Sequence, residues 1–434
     1  MISEKIKSGI NGDITIPGDK SISHRAIIIP SISKGTCEVS NILKSDDVMH
    51  TLNAFRLMGV KIEEYNDKLI IYGKGLNSLQ KPLTDIYLGN SGTSARLLTG
   101  LLASQSFVSV LKGDESLSSR PMDRITKPLE LMNAKFESIN GKLPLKIIGK
   151  DLTNSKLNIV LPSAQIKSGL ILACLNTKGK STIIENHVTR DHTEIMLESF
   201  EANLEIEKSN NSKIINIIGK KELKAKNLNV PSDLSSSAFF IIACLINQNS
   251  KIKLQNINLN PTRDGLLKAL NQMGAKISYL NKRKVNNEEV SDIIVESSKL
   301  EGCSLDEEMS KFMIDEYPIL SIAASFAKSP SEFKGLGELK VKESNRLELI
   351  CINLNRCGIF CETRGNDLYI DPLRKTSIKN NKIKTDYDHR IAMAFAVMGS
   401  KIGNLNIENF NSVNTSFPNF TSLFNKAGGN LIEK

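Results

Sequence analysis

The sequence predicts an α/β fold made of two similar domains, each built of three repeats. Three observations indicate this fold. An eight-residue pattern, in which a helix end runs into a strand, recurs six times along the chain. Six strongly apolar helices alternate with these segments, and a chain of 434 residues is too long for one ordinary domain.

The recurring pattern begins with a large apolar residue and has a turn position fifth. The fifth residues stand at positions 59, 133, 201, 274, 358 and 428, roughly 75 residues apart, as in a repeat architecture. The six segments are Phe55–Ile62, Leu129–Phe136, Leu197–Leu204, Leu270–Ile277, Leu354–Cys361 and Phe424–Leu431. A second strand follows most of them, so the pattern predicts a β-α-β-β unit used six times. Met58, Met132 and Met273 recur at one position of the pattern and are predicted to lie in the core.

Each of the six apolar helices opens with polar, often hydroxyl-bearing residues. The helices begin near Ser21, Asn90, Ser163, Ser232, Asp315 and Asp388. A helix that is apolar all round is buried, so the residues along it are not expected to contact a ligand. The polar first turns remain as the candidate functional positions.

The domain boundary is predicted at the charged linker Lys220–Ser232, which contains Pro231. We expect a first domain over residues 19–225 and a second over residues 1–18 plus 226–434. The opening strand Ile14–Pro17 precedes the first repeat and could complete a sheet of the second domain. Two crossover strands, near residues 17–20 and 225–231, would then join the domains.

The composition excludes several classes of protein. The longest apolar run, Ala238–Ile246, is too short to span a bilayer, and the first residues have no apolar segment of a secretory signal. Seven cysteines without a C-x-x-C pair predict free thiols, with no zinc site and a cytoplasmic location. No Walker-type loop or carboxylate cluster is present, so we expect no cofactor and no metal.

The net charge of +10 indicates anionic partners. Nucleic acid is disfavoured because aromatic residues make up only 5% of the chain and tryptophan is absent. The segment Gly18–Arg25 offers a small-molecule alternative: Lys20, Ser21 and Arg25 stand where an apolar helix begins. Free N–H groups and the positive dipole end make such a helix start an anion site, although a capped helix with solvated cations would look the same.

Seven motifs together resemble the 5-enolpyruvylshikimate-3-phosphate synthase family over essentially the full chain, and its second sequence class in particular. They are Gly18–Arg25, Leu88–Arg96, Ser119–Met122, Ser163–Gln165, Arg190–Glu194, Val341–Arg346 and Asp388–Arg390. The resemblance implies two alpha-beta prism domains, each of three β-α-β-α-β-β type repeats, joined by two crossover strands. It also implies a transferase of the shikimate pathway to chorismate and aromatic amino acids.

The implied reaction moves the enolpyruvyl group of phosphoenolpyruvate to the 5-hydroxyl of shikimate 3-phosphate and releases phosphate. Addition and elimination would pass through a tetrahedral intermediate in a cleft between the domains. The partners would be these two substrates, with no nucleic acid and no membrane, and the enzyme is expected to be a monomer. Arg and Lys would neutralise two phosphates and two carboxylates, each charge-assisted bond contributing about 1.5–3 kcal/mol.

Carried over by motif, the resemblance assigns two binding sets and three catalytic groups. Shikimate 3-phosphate would contact Lys20, Ser21, Arg25, Ser163, Ala164, Gln165, Thr189, Asp315 and Lys342. Phosphoenolpyruvate would contact Lys20, Asn90, Gly92, Arg120, Gln165, Arg346 and Arg390. Asp315 would be the base for the 5-hydroxyl, Glu343 the acid for the methylene carbon, and Lys20 would touch both substrates.

Single residues of this set also have plain structural interpretations. Arg120 could be a solvated cap residue, Asp315 an N-cap, and Glu343 with Arg346 a surface charge pair. The chain also departs from the family pattern. Thr415 stands where many members carry a lysine, and Ala164 and Thr189 replace serines. Gly92 is kept where some resistant members have alanine, which leaves glyphosate sensitivity open.

Two alternatives remain to be weighed. A related transferase acting on UDP-N-acetylglucosamine uses a loop cysteine near Arg120, but no cysteine lies between Cys37 and Cys174. A basic RNA-binding repeat protein, or an RNA 3′-phosphate cyclase of similar units, would bind single-stranded RNA with steep salt dependence. The low aromatic content and the arginines at helix starts argue against it.

Overall fold

The fold was analysed on a computed structural model that describes residues 1–209, 212–375 and 380–433. The strands are β1 Ile2–Ser3, β2 Asn11–Ile14, β3 Lys34–Ser40, β4 Lys61–Glu64, β5 Lys68–Lys74, β6 Ile86–Tyr87, β7 Val108–Lys112, β8 Lys135–Ser138, β9 Leu145–Ile148, β10 Lys156–Ile159, β11 Lys180–Glu185, β12 Leu204–Lys208, β13 Lys213–Ile218, β14 Leu228–Asn229, β15 Lys251–Asn258, β16 Lys276–Val285, β17 Glu288–Glu296, β18 Ser304–Leu305, β19 Ser331–Phe333, β20 Ile359–Arg364, β21 Asp367–Lys375, β22 Lys382–Ile383, β23 Leu405–Ile407 and β24 Leu431–Ile432.

The α-helices are α1 Lys20–Ser31, α2 Asp46–Leu57, α3 Gly92–Ala103, α4 Glu115–Ser119, α5 Asp123–Glu130, α6 Ala164–Leu175, α7 His192–Ser199, α8 Leu234–Ile246, α9 Gly265–Gln272, α10 Glu307–Met313, α11 Tyr317–Ala324, α12 Arg346–Arg356, α13 His389–Ile402 and α14 Phe420–Lys426. Short 3₁₀ helices span Gly337–Val341 and Phe410–Thr415. All six recurring segments run from a helix end into a strand, as predicted. The short helices α4 and α10 were not predicted.

Within the described ranges, the strands form six four-stranded sheets with one shared order. They are β14-β3-β5-β4, β6-β7-β9-β8, β10-β11-β13-β12, β2-β15-β17-β16, β18-β19-β21-β20 and β22-β23-β1-β24. In each sheet the first two strands are parallel. Parallel neighbours need a crossover connection, which the buried helix supplies directly in four of the repeats. The predicted six-repeat α/β architecture is confirmed.

Two strands each pair in a sheet that does not belong to the helix following them in the chain. Strand β2 precedes α1 but pairs with β15, in register from Asn11 opposite Lys251 to Ile14 opposite Leu254. Strand β14 precedes α8 but pairs with β3, Leu228 opposite Val39. The prediction that the opening strand completes another sheet is therefore confirmed. The chain ends also share a sheet, since β1 lies between β23 and β24.

Contacts divide the chain into two units, which are described separately. One unit, called here the N-unit, comprises Gly18–Pro231 and Val285–Glu288. The other, called the C-unit, comprises Met1–Pro17, Ser232–Lys284 and Glu289–Lys434. The sequence analysis had placed residues 226–231 with the second domain. In the structure this segment contacts the N-unit, because β14 adds to its sheet.

Each unit has its own core of three buried helices. In the N-unit these are α1, α3 and α6, and Gly100 of α3 lies so close to Gly169 of α6 that a Cβ would be 1.9 Å from the Gly169 carbonyl oxygen. In the C-unit they are α8, α11 and α13. The predicted core methionines Met58, Met132 and Met273 are fully buried. In α1, α3 and α6 the partly exposed residues lie in or next to the first turn, which is where the candidate site residues of the N-unit lie.

Candidate active site

The start of α1 places Lys20 beside an acidic partner. Asp19 caps the helix by accepting a hydrogen bond from the Ile22 N–H at 2.9 Å. Lys20 Nζ lies 3.0 Å from Asp47 Oδ2, and both side chains are only partly exposed. The sequence analysis missed Asp47, which comes from α2. Lys20 is therefore held in place by a carboxylate, rather than being a solvated cation.

Arg25 is buried, and its hydrogen-bond acceptors within the described residues are all neutral. Its Nε donates to Thr193 Oγ1 at 2.6 Å, and its Nη2 donates to Ser168 Oγ at 2.6 Å. Its Nη1 donates to the Ser21 carbonyl oxygen at 2.7 Å. Burial lowers the pKa of Arg25 to about 10, so the side chain still carries a charge at neutral pH. A buried cation with no carboxylate in contact favours a bound anion.

The start of α3 brings together Asn90, Gly92 and Arg120, three residues of the phosphoenolpyruvate set. Arg120 Nη2 donates to Asn90 Oδ1 and, at 3.1 Å, to Ser116 Oγ. Within the described residues Arg120 has no carboxylate partner, and its buried Nε has no acceptor. A Cβ on Gly92 would lie 2.8 Å from Arg96 Nη1 and 3.2 Å from Arg120 Nη1. Glycine thus leaves room for two guanidinium groups at one helix start.

The start of α6 carries Ser163, Ala164 and Gln165. Ser163 is the N-cap, and its hydroxyl accepts a hydrogen bond from the Ile166 N–H. Gln165 Nε2 donates to Thr93 Oγ1 at 3.1 Å, which joins the starts of α6 and α3. The three side chains are partly exposed. This placement joins residues of both predicted binding sets.

The polar groups of Thr189 form hydrogen bonds to other residues of the protein. Its N–H donates to Glu185 Oε1 at 2.9 Å, and its hydroxyl donates to the same oxygen. Its carbonyl oxygen accepts from Lys167 Nζ at 3.2 Å. Since the hydroxyl proton is already given to Glu185, Thr189 cannot donate that proton to a phosphate oxygen.

In the C-unit, Asp315 lies between two cations just before α11. Its Oδ1 is 3.4 Å from Lys342 Nζ and 3.3 Å from Arg346 Nη1. The N-cap of α11 is Glu316, and no side chain caps this helix. The simple N-cap interpretation of Asp315 is therefore wrong.

Arg346 is fully buried and surrounded by carboxylates, so it is not part of a surface charge pair. Its Nε lies 2.8 Å from Asp388 Oδ2, and its Nη2 lies 2.5 Å from Glu343 Oε2. Burial opposes the charge of Arg346, but Asp388, Glu343 and Asp315 outweigh that effect and raise its pKa. Burial likewise opposes the charge of Asp388, yet Arg346 lowers the pKa of this carboxyl group.

Arg390, at the start of α13, is held by α8 and by the start of α11. Its Nη1 donates to Ser235 Oγ at 2.7 Å and to the Asp315 carbonyl oxygen at 2.9 Å. The buried Glu316 Oε1 lies 3.6 Å from the same nitrogen and 3.5 Å from Arg263 Nη2. Sequence reasoning missed Glu316, Arg263 and Ser235, because they come from three separate elements.

Thr415, one of the departures from the family pattern, supplies no cation. Its hydroxyl donates to the Ser412 carbonyl oxygen at 2.8 Å and lies 3.4 Å from His389 Nδ1. Thr415 ends the 3₁₀ helix Phe410–Thr415. Its hydroxyl therefore closes a turn next to the start of α13.

The predicted site residues thus form two clusters, one in each unit. The N-unit cluster contains Lys20, Ser21, Arg25, Asn90, Gly92, Arg120, Ser163, Ala164, Gln165 and Thr189. The C-unit cluster contains Asp315, Lys342, Glu343, Arg346 and Arg390. Within the described ranges, no group of three His, Cys, Asp or Glu side chains is arranged to hold a metal ion. No helix among these residues is long and apolar enough to cross a membrane.

Comparison with known proteins identifies the family. The family model described as EPSP synthase (3-phosphoshikimate 1-carboxyvinyltransferase) matches residues 5–424. The chain belongs to the EPSP synthase family. A 3-phosphoshikimate 1-carboxyvinyltransferase of Ruthia magnifica subsp. Calyptogena magnifica is 43% identical over 431 residues, covering 98% of each chain. One of Petrotoga mobilis is 41% identical over 423 residues, covering 96% of this chain and 97% of that relative.

A solved structure of EPSP synthase from Acinetobacter baumannii supports the same conclusion. Its TM-score is 0.87 at 39% sequence identity, and the match covers 98% of each chain. The fold, with its two sets of three repeats, is therefore that of the family. As a member, the chain is a transferase of the shikimate pathway that moves an enolpyruvyl group to shikimate 3-phosphate.

Proposed function

We propose that the N-unit cluster binds the phosphates of both substrates and that the C-unit cluster performs the proton transfers. The charge distribution carries this proposal. In the N-unit, Arg25 and Arg120 have no carboxylate in contact within the described residues. A phosphate dianion would supply the missing negative charge.

In the C-unit, by contrast, basic and acidic side chains balance. The four basic residues are Arg263, Lys342, Arg346 and Arg390, and the four acidic residues are Asp315, Glu316, Glu343 and Asp388. A balanced cluster is a poor site for a dianion but a suitable one for proton transfer, because its carboxylates lie beside cations. Arg346 and Arg390 would bind the phosphoenolpyruvate carboxylate, the weaker of its two anionic groups.

The binding roles follow from this division. Lys20, held by Asp47, would contact both substrates. Shikimate 3-phosphate would contact Ser21, Arg25, Ser163, Ala164 and Gln165 in the N-unit, with Asp315 and Lys342 in the C-unit. Phosphoenolpyruvate would contact Asn90, Gly92, Arg120 and Gln165, with Arg346 and Arg390. Thr189 would act only through its position next to the site, because its N–H and its hydroxyl both donate to Glu185.

The proton transfers are assigned to Glu343 and Asp315. Glu343 would protonate the methylene carbon of phosphoenolpyruvate, which makes C2 electrophilic. Asp315 would take the proton of the 5-hydroxyl as its oxygen forms a bond to C2. The tetrahedral adduct would then lose a methyl proton to Glu343 and break the C2–O bond, releasing phosphate with the bridging oxygen. Lys342, 3.4 Å from Asp315 Oδ1, would hold the base and the attacking oxygen together.

Isotope labelling tests this route. Phosphoenolpyruvate labelled with ¹⁸O at the bridging oxygen should give phosphate that contains one ¹⁸O atom. Transfer of the phosphoryl group with P–O cleavage would leave the label out of the phosphate and would contradict the proposal. A cytoplasmic location and a monomeric state stay predictions from the sequence, although the seven cysteines are free thiols, which is compatible with a reducing compartment.

A further inference from the structure

A buried charge cluster lies beneath the N-unit site and was not predicted from the sequence. The Lys167 cluster consists of Lys167, Glu185, Asp191, Glu194 and Lys213. Lys167 Nζ lies 3.0 Å from Glu185 Oε2 and 2.9 Å from Glu194 Oε1, and it donates to the Thr189 carbonyl oxygen at 3.2 Å. The ammonium group therefore has two carboxylates and one carbonyl oxygen in contact.

Stability alone does not account for a charge at this position. Lys167 is 0% exposed on a helix whose following residues, Gly169–Leu175, are apolar and buried. Burial opposes its charge, but Glu194 and Glu185 outweigh that effect and raise its pKa. Replacing buried ion pairs by apolar residues of similar volume is often neutral or stabilising. A lysine here therefore calls for a reason other than packing.

The cluster contacts three segments, the start of α6, the loop that holds Thr189 and the start of α7, of which the first two carry proposed substrate contacts. Lys167 lies one turn after Ser163, the N-cap of α6. Glu185 binds both the N–H and the hydroxyl of Thr189, which sets the loop between β11 and α7. Glu194 lies in the first turn of α7 and also faces Lys213 Nζ at 3.5 Å.

The immediate neighbours of the cluster hold Arg25. Ser168 follows Lys167 and Thr193 precedes Glu194, and their hydroxyls lie 2.7 Å apart. Both accept hydrogen bonds from Arg25, each at 2.6 Å. Any shift of α6 against α7 would therefore displace the guanidinium of Arg25.

We propose that Lys167 is a positioning residue for shikimate 3-phosphate. By pairing with Glu185 and Glu194 it sets α6 against α7, and so places Arg25 and Ser163–Gln165 around the substrate. This inference rests on the proposed function of those residues. Lys167 has no such role at Arg120, the proposed phosphoenolpyruvate contact, because the hydrogen-bond acceptors of Arg120, Asn90 and Ser116, lie outside the cluster.

The test is the double variant Lys167→Met/Glu185→Gln, which removes one charge of each sign. We expect the dissociation constant of shikimate 3-phosphate, measured without phosphoenolpyruvate, to rise about tenfold or more, since small misplacements of binding groups cost much affinity. The KM for phosphoenolpyruvate should rise less, by about threefold at most, because Gln165 alone of its proposed contacts lies in the segments that Lys167 positions. A loss of folded protein would not produce such a difference between the two substrates. The single variant Glu185→Gln preserves the shape of the side chain. It should show the same difference between the two substrates, but a smaller one.

The matched control is Lys180→Met/Glu205→Gln, which removes an exposed pair 4.0 Å apart on the same sheet. It should leave both constants unchanged. Unchanged shikimate 3-phosphate binding in the double variant and in Glu185→Gln would overturn the positioning role. Failure of the unaltered protein to bind shikimate 3-phosphate would instead count against the proposed function itself, so the two failures are distinguishable.

Discussion

The Nη2 atom of Arg346 lies 2.5 Å from Oε2 of Glu343, three residues earlier in the chain. With Asp388 at Nε and Asp315 at Nη1, the guanidinium is surrounded by carboxylates, and its side chain is 1% exposed. A substrate carboxylate bound by Arg346 would lie close to Glu343, and like charges at this distance repel strongly. If Arg346 binds phosphoenolpyruvate as proposed, Glu343 must therefore move or take up a proton first.

Glu343→Gln separates the two roles of this residue. The amide cannot give a proton to the methylene carbon, so kcat should fall by about 10²-fold or more. The KM for phosphoenolpyruvate should not rise, because a carboxylate that competes for Arg346 has been removed. Steady-state kinetics with each substrate varied in turn provides the measurement. An unchanged kcat would exclude Glu343 as the acid.

Asp315→Asn should lower turnover far more than binding. The amide keeps the shape of the side chain but cannot accept the proton of the 5-hydroxyl, so we expect kcat to fall by about 10²- to 10⁴-fold. Binding of shikimate 3-phosphate, measured by calorimetry, should change by less than about tenfold, because Lys342 and the N-unit contacts remain. Equal losses in turnover and binding would show a binding role instead of a base.

Arg120→Lys should weaken phosphoenolpyruvate binding selectively. Lysine keeps the charge but cannot reproduce the planar donor pair that faces Asn90 and Ser116. Loss of one charge-assisted hydrogen bond, about 1.5–3 kcal/mol, corresponds to a rise in KM of about 10- to 150-fold. Lys127→Met, on the exposed side of α5, is the control and should leave KM unchanged. A normal KM in Arg120→Lys would remove Arg120 from the binding set.

His24 should make the protein sensitive to mild acid. Its Nδ1 lies 2.7 Å from Thr51 Oγ1 inside the N-unit, and burial, with Lys20 and Arg25 nearby, lowers its pKa well below 6.5. Below pH 6.5 the unfolded chain therefore binds a proton that the folded chain does not. The free energy of unfolding should decrease with falling pH, by at most about 1.4 kcal/mol per pH unit from this residue.

Urea unfolding at pH 7.0 and 5.5 measures the effect of His24. His24→Asn, whose amide can still reach Thr51, should be less stable at pH 7.0 but should lose this part of the pH dependence. His187→Asn, at an exposed position, should keep it. The same pH dependence in His24→Asn as in the unaltered protein would show that other groups cause it.

The sequence was sufficient for the repeats and for the starts of the buried helices, where most of the proposed site residues lie. The recurring segments are local patterns, so each helix end and strand could be read from a few neighbouring residues. Asp47 could not be paired with Lys20 in this way, because the contact depends on how α2 packs against α1. Lys167 stood at the head of an apolar run, and nothing local indicated that Glu185 and Glu194 would enclose it.

The pairing of charged residues in the site also depends on the fold and could not be predicted from local sequence. Glu343 and Arg346 have the spacing of a surface helical pair, yet Glu343 precedes α12 and Arg346 is buried. That difference arises because Asp388, from the start of α13, draws the guanidinium inward. Contacts between residues far apart in the chain therefore decide which cations are available to substrate.

Phosphate release is the most direct test of the central claim, that a cationic cluster and a charge-balanced cluster perform the transfer without a metal ion. The purified protein should be assayed in excess EDTA with each substrate alone and with both. We predict one phosphate released per shikimate 3-phosphate consumed, only when both substrates are present and at a rate that added Mg²⁺ does not raise. Phosphate release from phosphoenolpyruvate alone, or release that requires Mg²⁺, would contradict the account.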